Sequence, residues 1–268
     1  MRVADHVVQA RRQKLADLLA RHQYLSLGEL CDRLEVSEPT ARRDLAALEA
    51  EQLLTRTRGG ALIEYNQKFE SFRERMNRVG DVKRRLGAAA ARLLKPGQTV
   101  WLDGGTTVYY VAEALADRRP PGLVVVTHNM PAADLLADLD DIEVHLLGGQ
   151  YFRRTSLLLG PNTVASVRRW RRFDVALLGV EGLDREGLWN SLRDVVLLQR
   201  AVIRASALSV VLADAAKFGR RAPEFLCPAG DVDRVLADAS ASDFEAAGLR
   251  PGQRLNLGPD PKKGEKKP

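Results

Sequence analysis

Cysteine is scarce in this 268-residue chain: Cys31 and Cys227 stand far apart, which leaves no disulfide framework and no zinc spacing. Both are read as small apolar residues in a reducing compartment. Histidine is equally thin. His6, His22, His128 and His145 show no metal-ligand spacing, so no metal and no cofactor is assigned. No apolar run approaches the roughly 18 residues a membrane span needs, and the opening M-R-V-A-D-H lacks the apolar stretch of an export signal. A cytoplasmic protein with no membrane partner is expected. Aromatic residues make up only 6% of the chain, but 45% hydrophobic and 28% charged residues are globular proportions. The length suits one small and one ordinary domain, each with its own core.

The net charge of +6 invites a nucleic-acid partner, yet residues 1–64 hold ten Arg plus Lys and ten Asp plus Glu and sum to zero. A case for DNA must therefore rest on where the cations sit. The stretch that organises the chain is V-S-E-P-T-A-R-R-D-L, from Val36 to Leu45. Ser37 is suited to cap a helix, and the first turn of that helix tolerates Pro39 because its N–H groups have no intrahelical partner to lose. Ala41, Leu45 and Leu48 recur at helical spacing and turn inward, which points Arg43 outward with Thr40 and Arg42 on its flanks.

Leu27, Leu30 and Leu34 stripe the preceding helix, and the short gap to the next is helix-turn-helix spacing. In such a pair the second helix enters the major groove, where an arginine binds guanine O6 and N7 while Thr40 meets a phosphate or a thymine methyl. An ordinary helical hairpin with solvated arginines fits the spacing equally well. A first helix over residues 6–20 would brace the pair. After it, L-L-T-R-T-R-G-G-A-L-I reads as a hairpin with Arg56, Arg58, Gly59 and Gly60 near its tip, which is a wing.

From Tyr65 to Asp81 the sequence is polar with scattered aromatics and reads as a connector. Beyond Lys83, short continuous apolar runs begin at Thr99, Leu123, Glu143, Asp174, Ser209 and Arg234. Such runs fit strands buried on both faces of a mostly parallel sheet, with helices near 83–94, 108–116, 130–139 and 192–207. The expected organisation is a DNA-binding domain over 1–64, a linker over 65–82, an α/β domain over 83–257 and a disordered Pro, Gly and Lys tail over 258–268.

The strands end in D-G-G-T-T (Asp103 to Thr107), T-H-N (Thr127 to Asn129), L-G-G (Leu147 to Gly149), G-V-E-G-L-D (Gly179 to Asp184) and A-D-A-A-K (Ala213 to Lys217). In an open parallel sheet these ends share one edge, and ligands bind in the crevice outside it. Gly104 and Gly105 leave backbone N–H groups approachable, and Thr106 and Thr107 add hydroxyls at a helix start, where the dipole favours an anion such as phosphate. Lys217 would add a positive charge, and Asp103, Asn129, Glu181 and Asp184 hydrogen bonds to sugar hydroxyls. Taken alone, D-G-G-T-T reads first as a tight strand-to-helix turn capped by threonine, and His128 as a pocket lining.

These motifs, in this order, resemble the DeoR family of bacterial transcription regulators. The resemblance spans nearly the whole chain except its tail. It implies a winged helix-turn-helix domain with the recognition helix at 38–50 and the wing at 54–63. Its DNA-binding residues would be Ser37, Thr40, Arg42, Arg43, Arg56, Arg58 and Gly59. It also implies an α/β effector domain similar in fold to ribose phosphate isomerase. Carried over by position, Asp103, Gly104, Gly105, Thr106 and Thr107 form the phosphate loop, with Asn129, Gly149 and Lys217 beside it and His128, Glu181 and Asp184 in the same pocket.

The family also favours a phenylalanine, an arginine and a lysine near Phe72, Arg75 and Lys83, which are read here as solvated linker residues. The chain departs from the family pattern at His128, at Ala215 and Ala216, and at Val195 and Gln199, where glutamate and lysine are common, so the sugar part of the pocket is expected to be altered. The implied function is repression of a carbohydrate catabolic operon by a homodimer or larger homo-oligomer. Its partners are an operator in double-stranded DNA and a phosphorylated sugar effector. Two rivals fit the residues: an isomerase-like enzyme using Asp103, Glu181 or Asp184 and Lys217, and a ligand-blind DNA-binding protein.

Overall fold

The computed structural model describes residues 5–22, 24–50, 54–57, 60–63, 72, 75–76 and 80–257. The tail over 258–268, most of the linker, and Arg58 and Gly59 of the wing lie outside the described residues. The chain divides into two compact units, 1–70 and 71–268.

The first unit runs α1 (Asp5–His22), β1 (Tyr24–Ser26), α2 (Leu27–Leu34), α3 (Glu38–Ala50), β2 (Leu54–Thr57) and β3 (Gly60–Ile63). α2 starts at a capping box: the Ser26 hydroxyl accepts from the Glu29 amide at 3.2 Å and the Glu29 carboxylate accepts from the Ser26 amide at 2.8 Å. It stops where Glu35 turns left-handed, with φ 55°. Leu27, Leu30 and Leu34 of α2 pack with Ala41, Leu45 and Leu48 of α3 and with Leu15 and Leu19 of α1. Each such buried leucine contributes about 1.5–3 kcal/mol.

Asp44 adds a polar staple. It is buried and accepts from Arg11 Nε at 2.5 Å and Arg12 Nε at 3.2 Å, which ties α1 to α3. The hairpin of β2 and β3 gains a third strand, because β1 pairs with β3 in the sheet order β1-β3-β2. Three residues are too few to show a strand period in sequence.

The second unit runs α4 (Gly80–Ala91), β4 (Thr99–Leu102), α5 (Thr106–Arg118), β5 (Leu123–Thr127), α6 (Met130–Ala137), β6 (Ile142–Leu146), β7 (Gln150–Phe152), β8 (Leu157–Leu159) and α7 (Pro161–Val167). It continues through β9 (Val175–Gly179), β10 (Gly182–Asp184), β11 (Gly187–Asn190), α8 (Arg193–Arg204), β12 (Ser209–Ala213), β13 (Glu224–Cys227), β14 (Arg234–Ala237), α9 (Ala241–Ala246) and β15 (Arg254–Asn256). Seven of these strands form one parallel sheet in the order β15-β14-β12-β9-β4-β5-β6.

Alternate residues feed two cores. Val100, Leu102, Val125 and Leu177 pack with Leu86, Val111 and Leu115 on one face, while Trp101, Val126, Ala176 and Leu178 pack with Val196 and Val202 on the other. Burial on both faces explains why the strands read as continuous apolar runs. The short α7, α9 and β15, the β7–β8 hairpin and the small sheet β10-β11-β13 were not expected.

The chain enters the sheet at β4, builds outward through β5 and β6, and returns to the other side of β4 with β9. The carboxyl ends of β4 and β9 therefore flank a topological switch point, where an open sheet leaves a crevice. α4 lies against α5 because Gly87 has no side chain: a Cβ there would sit 2.4 Å from the Tyr110 carbonyl. That close approach carries Lys83, one turn earlier on α4, toward the start of α5.

Candidate functional site

The first candidate surface is the outer face of α3. The Ser37 carbonyl accepts from the amides of Thr40 and Ala41, each at 3.0 Å, and its hydroxyl lies 3.1 Å from that of Thr40. Ser37 thus stands at the helix start, but its hydroxyl meets the Thr40 hydroxyl rather than a first-turn amide, so the expected side-chain cap is replaced by a hydroxyl pair. Arg43 is exposed. Arg42 is exposed as well and pairs with Glu38 at 3.4 Å, a solvent-facing pair one helical turn apart. Thr40 is half-buried between them and the turn. Arg56 stands on β2 opposite Ala61 of β3.

The second candidate is the crevice at the switch point. Asp103 ends β4 and is only 1% exposed. Its carboxylate accepts from the Gly179 amide at 3.0 Å, from Gln199 Nε2 at 2.5 Å and from His128 Nε2 at 3.1 Å. Gln199 also donates to the Gly179 carbonyl at 2.7 Å and accepts from Asn190 Nδ2 at 2.7 Å. His128 is sandwiched beneath, its ring stacked on Trp101 with centroids 5.5 Å apart. Asn129 donates to the carbonyls of Asp103 at 3.2 Å and Gly105 at 3.5 Å, while its Oδ1 accepts from the Ala132 amide and caps α6. Thr127 completes the floor by donating to the Leu102 carbonyl at 2.6 Å and accepting from the Asn129 amide at 3.0 Å.

This floor holds a loop whose two glycines do different work. Gly104 is packed inward: a Cβ there would meet Leu157 Cδ1 at 2.7 Å and His128 Nε2 at 3.3 Å. Gly105 is open on its Cβ side and takes φ 92°, a conformation that side chains rarely adopt. It precedes α5, and no side chain caps that 13-residue helix. The first-turn N–H groups and the helix dipole therefore meet at an approachable backbone. Lys83, 9% exposed, donates from Nζ to Thr106 Oγ1 at 3.0 Å and brings a cation to the same turn.

The remaining expected residues lie on other strand ends and the turns that follow them. Lys217 closes a 3-10 turn after β12, is half-buried, and makes no ion pair or side-chain hydrogen bond among the described residues. Its turn is tied to β10 by the Gly219 amide donating to the Leu183 carbonyl at 2.8 Å. Glu181 accepts from the Ser191 hydroxyl. Asp184 is the anchor of the β10–β11 turn, where it accepts from Trp189 Nε1 at 2.9 Å, Arg221 Nε at 2.5 Å and the Glu186 amide at 3.0 Å. Burial pushes the Asp184 carboxyl up, but these bonds outweigh it and hold the group below the ordinary carboxylate value. Gly149 serves packing: a Cβ there would fall 2.2 Å from Thr163 Oγ1.

The expectation that Asp103, Asn129 and Asp184 offer hydrogen bonds to a sugar therefore meets a different geometry, in which protein donors and acceptors occupy their polar atoms. Lys83 and Phe72 are likewise not solvated linker residues. Phe72 is buried with its ring edge-on to Tyr109 at 5.6 Å, and Lys83 is the buried cation of the loop. Asn190 was not assigned to the site from sequence, and Gln199 entered only as a departure from the family pattern expected to alter the sugar part of the pocket. The signal for Gln199 was its place on the inward stripe of α8 with Val196 and Val202.

Among the described residues no helix is long and apolar enough to cross a membrane, and no cluster of His, Cys, Asp and Glu suits a metal. The arrangement can present side-chain donors from α3 and hold a small anion at the start of α5. A family model described as a DeoR-like helix-turn-helix domain matches residues 11–67, and one described as a DeoR C terminal sensor domain matches residues 79–239. The chain is 31% identical over 225 residues to the HTH-type transcriptional repressor GlcR of Bacillus subtilis, covering 84% of this chain and 86% of the relative. It is 30% identical over 230 residues to the glycerol-3-phosphate regulon repressor of Escherichia coli, covering 85% and 90%. Ribose 5 phosphate isomerase A from Neisseria gonorrhoeae aligns with a TM-score of 0.38 and 19% identity over 50% of this chain and 52% of that one, a likeness that carries no argument about activity.

Proposed function

The chain belongs to the DeoR family of transcription regulators, and on that premise we propose that it represses a carbohydrate catabolic operon under control of a phosphorylated sugar. The observation that carries the effector half is the loop before α5: Gly105 at positive φ, an uncapped helix start, and Lys83 beside it. Backbone N–H groups at a helix start hold a phosphate without further machinery. Lys217 adds a second cation, and Glu181 and Gly149 border the crevice. Asp103, His128 and Asn129 hold the floor of the loop in place, and Asp184 holds the β10–β11 turn. The relatives named as a transcriptional repressor and as a repressor of a glycerol-3-phosphate regulon support the same reading.

The DNA half rests on Ser37, Thr40, Arg42 and Arg43 at the recognition helix, with Arg56, Arg58 and Gly59 on the wing. One such helix reads only a few base pairs, so the working form is a homodimer or larger homo-oligomer on a two-fold operator in the cytoplasm. An isomerase reading needs a base that reaches a substrate proton. The geometry disfavours it, because the Asp103 carboxylate is enclosed by three protein donors.

Selection of bound duplexes from a random DNA pool, with and without a panel of phosphorylated sugars and their unphosphorylated counterparts, tests the proposal. A two-fold sequence that enriches without ligand and is released by one phosphorylated sugar is the expected result. Enrichment that no sugar alters, together with no thermal shift from any of them, makes the chain ligand-blind. Turnover of a sugar phosphate by the full chain restores the enzyme.

A further inference from the structure

The excess positive charge of the chain lies outside residues 1–64, and its densest run is V-R-R-W-R-R-F from Val167 to Phe173. This run forms the turn between α7 and β9. Arg168, Arg169, Arg171 and Arg172 are all exposed, and none makes an ion pair or side-chain hydrogen bond among the described residues. The turn itself is anchored. Arg169 and Trp170 amides donate back to the Ser166 and Val167 carbonyls at 3.1 Å each, and Phe173 exchanges backbone bonds with Ala205 and Ala207 at 2.8 Å. The Trp170 ring packs edge-on to His145 at 4.9 Å and over Phe173 at 6.0 Å.

Four like charges within five residues repel one another, and no carboxylate pairs with any of them among the described residues. Two carboxylates beside the turn have other partners: Asp174, next in sequence, accepts from the Thr99 amide at 2.8 Å, and Glu143 bonds His145, the ring against Trp170, at 2.6 Å. The carbonyl end of α7 favours a cation or two beside it, but Arg171 and Arg172 lie beyond its reach. Held on an anchored turn, the four guanidinium groups lose little backbone freedom on meeting an anion. Each offers a planar fork that fits a pair of phosphate oxygens.

The turn is separate from the effector crevice. Asp174 and Thr99 stand at the amino ends of β9 and β4, whereas Gly179 and Asp103 stand at their carboxyl ends, roughly 15 Å away for a strand of this length. A polymer of phosphates suits four spread forks better than a single small anion does. The winged unit sums to zero charge over residues 1–64, so its own hold on a duplex rests on the few cations of α3 and the wing.

We infer that the Arg168–Arg172 turn is a second, sequence-independent DNA contact, which binds duplex phosphates outside the bases that α3 reads. The inference rests on reading the chain as an operator-binding protein. Binding to a mixed-sequence duplex tests it even where no operator is found.

The experiment compares the full-length parent with a variant carrying Arg168→Gln, Arg169→Gln, Arg171→Gln and Arg172→Gln. Affinity for a mixed-sequence duplex and for the selected operator is measured against salt. The slope of log affinity on log salt should fall by about 2–4 for both duplexes, at about 0.9 for each phosphate no longer neutralised. The ratio of operator to mixed-sequence affinity should hold. Replacing the same four residues by lysine should keep most of the slope. A charge-matched control with Arg92, Arg119, Arg185 and Arg193 changed to Gln should change it by less than about one unit.

An unchanged slope in the glutamine variant overturns the inference, as does an equal loss in the charge-matched control. An unchanged DNA slope with altered sedimentation mass would make the turn a contact between copies of this chain. The same slope with weakened binding to phosphatidylserine vesicles would make it a membrane contact.

Discussion

On α3 the residues that carry the DNA-binding motif point outward, with Arg42 and Arg43 exposed and the apolar partners Ala41, Leu45 and Leu48 turned to the core. At the carboxyl edge of the sheet the motif residues point inward, with Asp103, His128 and Asn129 at 1%, 0% and 0% exposure. The physical reason is what remains free to meet a ligand. Beyond its first turn a helix consumes its own backbone groups in its ladder, so the outer face of α3 meets DNA through side chains. A loop at a helix start keeps N–H groups in reserve, and Asp103, His128 and Asn129 beneath it are buried with their polar groups bonded within the protein. Substituting a motif residue should therefore cost binding without stability in the first unit, and stability first in the second.

The largest effect should come from Asp103→Ala. It strands the Gly179 amide, the Gln199 carboxamide and His128 Nε2 in a buried setting, and breaking such a charged network costs about 3–5 kcal/mol. Urea unfolding followed by tryptophan fluorescence measures this in the right unit, because the three tryptophans are Trp101, Trp170 and Trp189. A loss below about 1 kcal/mol, the usual worth of a single neutral hydrogen bond, would mean the network is not the floor of the loop.

Arg43→Ala should show the converse pattern: about 1–3 kcal/mol less in specific operator binding, with folding stability within about 0.5 kcal/mol of the parent. Operator titration and urea unfolding of the same preparation check both halves. Unchanged operator affinity removes Arg43 from the interface.

The same contrast explains what the sequence could reveal. The helix pair was legible in detail because Leu27, Leu30, Leu34, Ala41, Leu45 and Leu48 mark a period and a period fixes a face. The parallel sheet was legible because its strands are apolar on both faces. The positions of the strand-end motifs were readable too, but not which way their side chains turn. D-G-G-T-T reads the same whether Asp103 faces a sugar or Gln199, 96 residues later. Lys83 was misjudged for a similar reason: its burial depends on Gly87 admitting α5, a close approach of two helices that leaves no local mark. The three-residue β1 and the Asp44 staple escaped because one is too short for a period and the other depends on Arg11 and Arg12, more than thirty residues earlier.

On the wing the comparison sharpens to a single charge at a time. Arg56→Ala and Arg58→Ala should each flatten the salt dependence of DNA binding by about one unit if each meets one phosphate, and should weaken all sequences alike. Salt titrations on the operator and on a mixed-sequence duplex check this. A loss confined to a few sequences would instead make the wing a reader of bases.

The smallest effect on unliganded DNA binding, and the sharpest test of the comparison, belongs to Lys217. Of the two lysines proposed for the effector, Lys83 is buried and bonded to Thr106, so it belongs with Asp103 among residues that shape the loop. Lys217 is half-buried without an ion pair among the described residues, which makes it the counterpart of Arg43 in the second unit. Lys217→Ala should leave operator affinity without effector within roughly 0.5 kcal/mol of the parent, as expected for a site away from an interface. It should also abolish the response to the phosphorylated sugar. An effector moves an equilibrium only by its differential affinity for two states, and a chain that no longer grips the phosphate has no difference to contribute. The response should vanish rather than invert. Titrating operator affinity with the selected sugar phosphate and with its unphosphorylated form, for parent and variant, provides the check. If both sugars act equally on the parent, or the variant responds as the parent does, the effector is not held through a phosphate at Lys217. The half of the comparison that pairs Lys217 with Arg43 then fails, while the buried network under Gly104 and Gly105 is untouched by the result.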